Sequence, residues 1–122
     1  MAVIDLMNIV DQRLDDITKH NPSMKAEEFY FEGEVGLWCL ITIHGSEGMA
    51  IEYDFIESDR SWKRSDALSE FAQAVLEQVK VVVIVPDQAM ADVLKLVRDH
   101  NAQGVQVSDY GAMGLIPLPL TY

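Results

Sequence analysis

The apolar run VKVVVIVP at positions 79–86 constrains most strongly what this chain can fold into. Residues 81–85 are β-branched without a break, and β-branched residues favour strands. A strand that is apolar on both faces must be covered on both faces, as in a sheet flanked by helices. The run therefore predicts a central strand in which Ile84 is fully buried, with a strand over 104–110 beside it.

The segments around this run predict an α-β-β-β-α-β-α-β order. Apolar residues recur at helical spacing over 2–19, 67–78 and 88–101. The other strands are predicted over 28–34, 37–44 and 49–57, whose short links are typical of an antiparallel meander. The later β-α-β unit is expected to be right-handed and parallel. We predict a single α/β domain over 1–122, with a mixed sheet of about five strands in three layers, or else another three-layer α/β fold with an antiparallel extension.

Charge and composition limit the partners and the compartment. The formal net charge of the chain is −11, from 20 acidic and 9 basic residues. Such a surface repels phosphate backbones on average, so a nucleic-acid partner is possible but disfavoured. The single cysteine, Cys39, lies in the apolar run LWCLITI, and we expect it to be a buried packing residue. Because no segment resembles a signal peptide or a membrane span, we expect a cytoplasmic protein without a membrane partner.

Two acids lie two residues apart on the third predicted strand. Strand alternation places Glu52 and Asp54 on one face, and Tyr53 and Phe55 on the other. One interpretation is a solvated face opposite a packed one, as is usual in antiparallel sheets. The other is a divalent-metal site. It requires a third carboxylate close to this pair. Three converging carboxylates repel one another unless a cation such as Mg²⁺ or Mn²⁺ is bound.

The loop that follows this strand, SDRSWKRSD, concentrates positive charge around a tryptophan. One interpretation is a solvated loop whose Trp62 packs on the core. The other is a contact surface, because Trp and Arg are enriched in binding hot spots and a base can stack on an indole. The candidate binding residues are Arg60, Trp62, Lys63 and Arg64.

The element order with an acid pair on the third strand resembles the restriction-endonuclease-like, or PD-(D/E)xK, superfamily. The resemblance is clearest over 28–110, and the stretch AIEYD is similar to the third-strand motif of the family. It implies that Glu52 corresponds to the motif acid and that Asp54 stands where the family has a lysine. Lys63, in the following loop, is then the substitute for that lysine.

The same resemblance implies acids earlier in the chain. The metal-binding acid of the second core strand would be Glu34, or else Glu32. An acid on the first helix would be Asp11 or Asp15. The Pro-Asp pair of the family motif is absent at Glu32 and Glu34; the Pro-Asp pair of this sequence, Pro86-Asp87, follows the fourth predicted strand.

Two functions follow from this resemblance. Because an aspartate cannot supply the positive charge of the motif lysine, we favour a non-catalytic domain of this fold. It would act without a cofactor as an interaction module, binding a protein partner or associating with itself as a homodimer. The alternative is a metal-dependent nuclease. Its Mg²⁺ or Mn²⁺ ligands would be Glu34, Glu52 and Asp54, and its catalytic residues Glu52 and Lys63.

Overall fold

The computed structural model describes residues 5–117, and their elements follow the expected order. The helices are α1 (Leu6–His20), α2 (Ala67–Val75) and α3 (Met90–Asp99). The strands are β1 (Lys25–Gly33), β2 (Gly36–His44), β3 (Ala50–Ile56), β4 (Lys80–Val85) and β5 (Val105–Asp109). The start of the first predicted helix, residues 2–4, lies outside the described residues. Within those residues, no helix is long and apolar enough to cross a bilayer.

The strands form one mixed sheet in the order β1-β2-β3-β4-β5. The first three strands are antiparallel, whereas β3, β4 and β5 run parallel. Helix α1 packs on one face, and α2 and α3 pack on the other, so the fold is a three-layer α/β sandwich. Strand β4 has a neighbour on each side, and one of them is β5. The prediction of an internal strand beside 104–110 is thus confirmed, although β3 is the middle strand.

Two apolar cores lie on opposite faces of the sheet, and β4 contributes to both. Val82 and Ile84 point to the α1 side, where they join Ile9 and Ile41. Every second residue from Val81 to Val85 packs instead against α2 and α3. Ile84 is fully buried, as the sequence predicts.

The packing role expected for Cys39 is also confirmed. The residue is buried in the core on the α1 side. Burial raises the pKa of its thiol to about 12, so the thiolate that nucleophilic chemistry requires is scarce at neutral pH.

We predict that Ile84→Ala destabilises the protein by about 2–5 kcal/mol, because it removes buried apolar surface and leaves a cavity between α1 and the sheet. Leu94→Ala is the control: this side chain is 43% exposed on α3, and the cost should be within about 0.5 kcal/mol. Denaturant melts measure both values. A cost for Ile84→Ala below about 1 kcal/mol would contradict the central position of β4.

Candidate functional site

The acid pair of β3 lies beneath α1. Asp54 is fully buried, and the side chain of Glu52 is 16% exposed. The predicted alternation is confirmed, because Tyr53 and Phe55 belong to the opposite core. The interpretation of a solvated face is wrong for Asp54, which is fully buried, whereas Glu52 stays partly exposed at a cavity.

Arg13 of α1 binds both carboxyl groups. Its Nε lies 2.7 Å from Oδ2 of Asp54, and its Nη2 lies 3.3 Å from Oε2 of Glu52. Sequence reasoning missed this residue. A signal was nevertheless present, because Arg13 follows the buried Val10 by three residues and precedes the buried Ile17 by four. That spacing places its side chain on the buried stripe of the helix, facing the sheet.

Burial dominates the electrostatics of this cluster. It raises the pKa of Asp54 to about 8, with a further rise from the hydrogen bond to Glu52, and Arg13 opposes the rise. Among the described residues, Oδ1 of Asp54 has no hydrogen-bond partner, which adds to the cost of ionising the group. Glu52 and Asp54 thus share one guanidinium, and burial disfavours the ionised form of Asp54.

The structure does not bring Glu34 to this cluster. Glu34 is exposed in the turn between β1 and β2, which the Gly33–Gly36 pair closes. Glu52 pairs with Ile43, seven residues along β2 from Gly36, or about 23 Å of strand. The alternative acid, Glu32, lies on β1 near the same turn, opposite Leu37. Within residues 5–117, no three His, Cys, Asp or Glu side chains are grouped so that they could hold a metal ion.

Lys63 does not approach the acid pair either, whereas another lysine does. Lys63 is exposed beyond the last residue of β3, with its Nζ 5.3 Å from the centre of the Trp62 ring. Lys80, the first residue of β4, is the register partner of Glu52. Its Nζ lies 3.8 Å from Oε1 of Glu52. Both residues line a cavity of about 500 Å³, together with Arg13, Gln106 and Ser108.

The positive loop is organised around a second buried acid, Glu57, which sequence reasoning did not single out. Its Oε1 accepts hydrogen bonds from Oγ of Ser61 at 2.8 Å and from Nη1 of Arg64 at 2.6 Å. Arg64 also binds Glu70 of α2, with 2.8 Å from Nη2 to Oε1. Burial raises the pKa of Glu57, and the Arg64 and Ser61 contacts oppose that rise.

Only part of the predicted contact surface is exposed. Trp62 is buried in the core beside α2 and α3, which confirms the packing interpretation. The side chain of Arg64 is only 8% exposed. Its guanidinium lies 4.0 Å from the centre of the Trp38 ring. Of the four candidates, Arg60 and Lys63 are the exposed ones, so the loop is mainly structural.

A groove with an aromatic lining lies on the α2 side of the sheet. We call it the aromatic groove, and its volume is about 610 Å³. Its floor is formed by side chains of β1, β2 and β3: Phe31, Trp38, Leu40, Thr42, Tyr53 and Phe55. Its wall is formed by α2, which contributes Glu70, Gln73 and Glu77 among others. Because Arg64 stacks on Trp38, the positive loop supports one end of this groove.

Comparisons with known proteins identify no relative of this chain. No family model matches the chain, and searches of curated proteins and of solved structures find no match. The resemblance to the restriction-endonuclease-like superfamily therefore depends on sequence features and element order alone.

We predict that Arg64→Ala destabilises the protein by about 3–5 kcal/mol, because it leaves the Glu57 carboxylate buried without its cation. Lys63→Ala is the matched control. It removes a neighbouring but exposed positive charge and should cost no more than about 0.5 kcal/mol. Denaturant melts of the two variants give the comparison. Equal costs would contradict the structural role of Arg64.

A second prediction concerns pH. Since the pKa of Asp54 is raised in the folded state, the folded protein binds more protons than the unfolded one between about pH 4 and 8. The contribution of Asp54 to stability therefore falls as pH rises through this window. Asp54→Asn removes that dependence.

The measurement is the free energy of unfolding of the wild type and of Asp54→Asn between pH 5 and about 9. The free energy of unfolding of the variant minus that of the wild type should increase with pH, by up to about 1.4 kcal/mol per pH unit, and level off above about pH 8. Asp15→Asn, a change at an exposed acid of α1, is the control. A constant difference across the range would contradict the prediction.

Proposed function

We propose that this protein is a non-catalytic domain of the restriction-endonuclease-like type, which acts as an interaction module. The proposal depends on one observation: the guanidinium of Arg13 is bonded to both acids of β3. A metal-dependent nuclease uses a cation at its acids to activate water and to offset the negative charge that develops. Here the guanidinium of Arg13 is already bonded to both acids, and Asp54 is fully buried.

The element order and the mixed sheet support the family part of this proposal. The interaction part is supported by the aromatic groove, where Phe31 is 44% exposed, and by Phe29, which is 46% exposed on the same face of β1. Contiguous exposed apolar surface of this kind marks binding sites in soluble proteins. The binding partner would be another protein or a second copy of the chain.

The alternative of a metal-dependent nuclease is favoured by a different observation, the position of Lys80. This lysine lies beside Glu52 in an open cavity, so it can take the role first considered for Lys63. Glu52 and Asp54 would then bind Mg²⁺ or Mn²⁺. The residues present fit such an ion poorly, because Arg13 is bonded to Oδ2 of Asp54 and to Glu52, and Glu34 is distant.

The deciding experiment is a cleavage assay. Purified protein is incubated with single- and double-stranded DNA and RNA in the presence of Mg²⁺ or Mn²⁺, and we expect no cleavage. Glu52→Gln and Lys80→Met are tested in parallel, because cleavage that persists in both variants comes from a contaminating nuclease. Metal-dependent cleavage that both variants abolish would overturn the proposal and establish the nuclease.

A further inference from the structure

We propose that the aromatic groove is a docking site for an amphipathic α-helix with a cationic polar face, presented by a partner protein. This inference depends on the proposed function, since it names the partner class of the interaction module. Three features of the described residues lead to it: an incomplete helical layer, a floor held in place before binding, and an acidic rim.

The helical layer on this side of the sheet stops at α2. Helices α2 and α3 contact β4 and β5. The β1 side chains on this face, Phe29 and Phe31, remain nearly half exposed, so the described helices leave this part uncovered. They pair with Leu40 and Trp38 of β2 and share a face with them. Ile51 of β3, 41% exposed, extends the same apolar face.

A helix fits the missing part of the layer better than a strand does. β1 is an edge strand of the sheet, but a strand added at that edge would not cover Phe29 and Phe31, whose side chains stand on the face beside α2. A sheet face in a three-layer fold is covered by helices. An amphipathic helix lying alongside α2, over β1 and β2, would extend the layer and bury these aromatic side chains.

The floor of the groove is held in its shape by contacts within the protein. Trp38 stacks on Phe31 with 5.7 Å between ring centres, and the Arg64 guanidinium stacks on the Trp38 ring. Phe55 meets Phe71 of α2 edge-on, at 5.0 Å. Because these side chains are already ordered, a partner binds without the entropic cost of fixing them.

The acidic charge at the rim of the aromatic groove favours a partner helix whose polar face is cationic. Glu77 of α2 is exposed at the groove and accepts a hydrogen bond from the Tyr53 hydroxyl at 3.2 Å. Glu70 also lines the groove, and its carboxylate is bonded to Arg64. The whole chain carries −11. A cationic helix is therefore attracted to this rim, whereas a second copy of this acidic chain is repelled.

The test uses a labelled peptide of about 18 residues, with leucines at helical spacing and lysines elsewhere. A matched peptide has glutamates in place of the lysines. We expect the lysine peptide to bind in fluorescence anisotropy and the glutamate peptide not to bind. Phe31→Ser should weaken binding by about tenfold or more, and Glu77→Gln should weaken it several-fold.

Tyr30→Ser is the matched control for Phe31→Ser. Tyr30 is the neighbouring residue, is 36% exposed and points to the opposite face of the sheet. This change should leave peptide binding unaltered. Circular dichroism confirms that both variants remain folded.

Two outcomes would overturn the inference. If Phe31→Ser binds the lysine peptide as tightly as the wild type does, the attraction is only that of net charge. If the protein sediments as a dimer that Phe31→Ser splits, the groove is covered by a second copy instead. The cleavage assay is independent of these results, because Phe31 and Tyr30 lie outside the Arg13–Glu52–Asp54 cluster. A failed docking test therefore leaves the non-catalytic proposal to be judged separately.

Discussion

The whole arrangement depends on β4 being apolar on both of its faces. Residues 81–85 are all buried, and alternate side chains enter opposite cores. A strand of this kind is stable only when each face of the sheet is covered. The α1 helix supplies one cover, and the α2 and α3 helices supply the other. Asp54 and Ile56, which β3 places on the α1 side, are fully buried as a consequence.

Two acids on β3 or next to it are buried, and each is bonded to an arginine. Asp54 lies under α1 and is paired with Arg13, while Glu57 lies just past the end of β3 and is paired with Arg64. A buried carboxylate that loses its cation is strongly destabilising. Both arginines are therefore bound in structural pairs, which leaves little of their charge for a nucleic acid or another partner. In the loop after β3, the positive charge that remains exposed is that of Arg60 and Lys63.

Local patterns were sufficient to predict most of the fold. Unbroken β-branching identified β4, and period-two alternation assigned Glu52 and Asp54 to one face of β3. Contacts between distant segments were harder to predict. The pairing of Arg13 with β3 spans about forty residues, and Lys80 meets Glu52 only because β3 and β4 are parallel in that register. Glu34 was assigned from its place in a family motif, whereas the hairpin turn carries it to the far end of the strands.

The two sides of β3 differ in what they offer to another molecule. On the α1 side both acids are bonded to Arg13, and burial raises the pKa of Asp54 and so opposes its ionisation. On the α2 side, Phe29 and Phe31 remain nearly half exposed, and covering the exposed part of each yields about half of the 1.5–3 kcal/mol that a fully exposed side chain would. The free energy available for binding is thus concentrated on the α2 side. A partner can bind in the aromatic groove without breaking any ion pair of the α1 side. A metal ion at Asp54 would first have to displace Arg13 from the Asp54 carboxyl group.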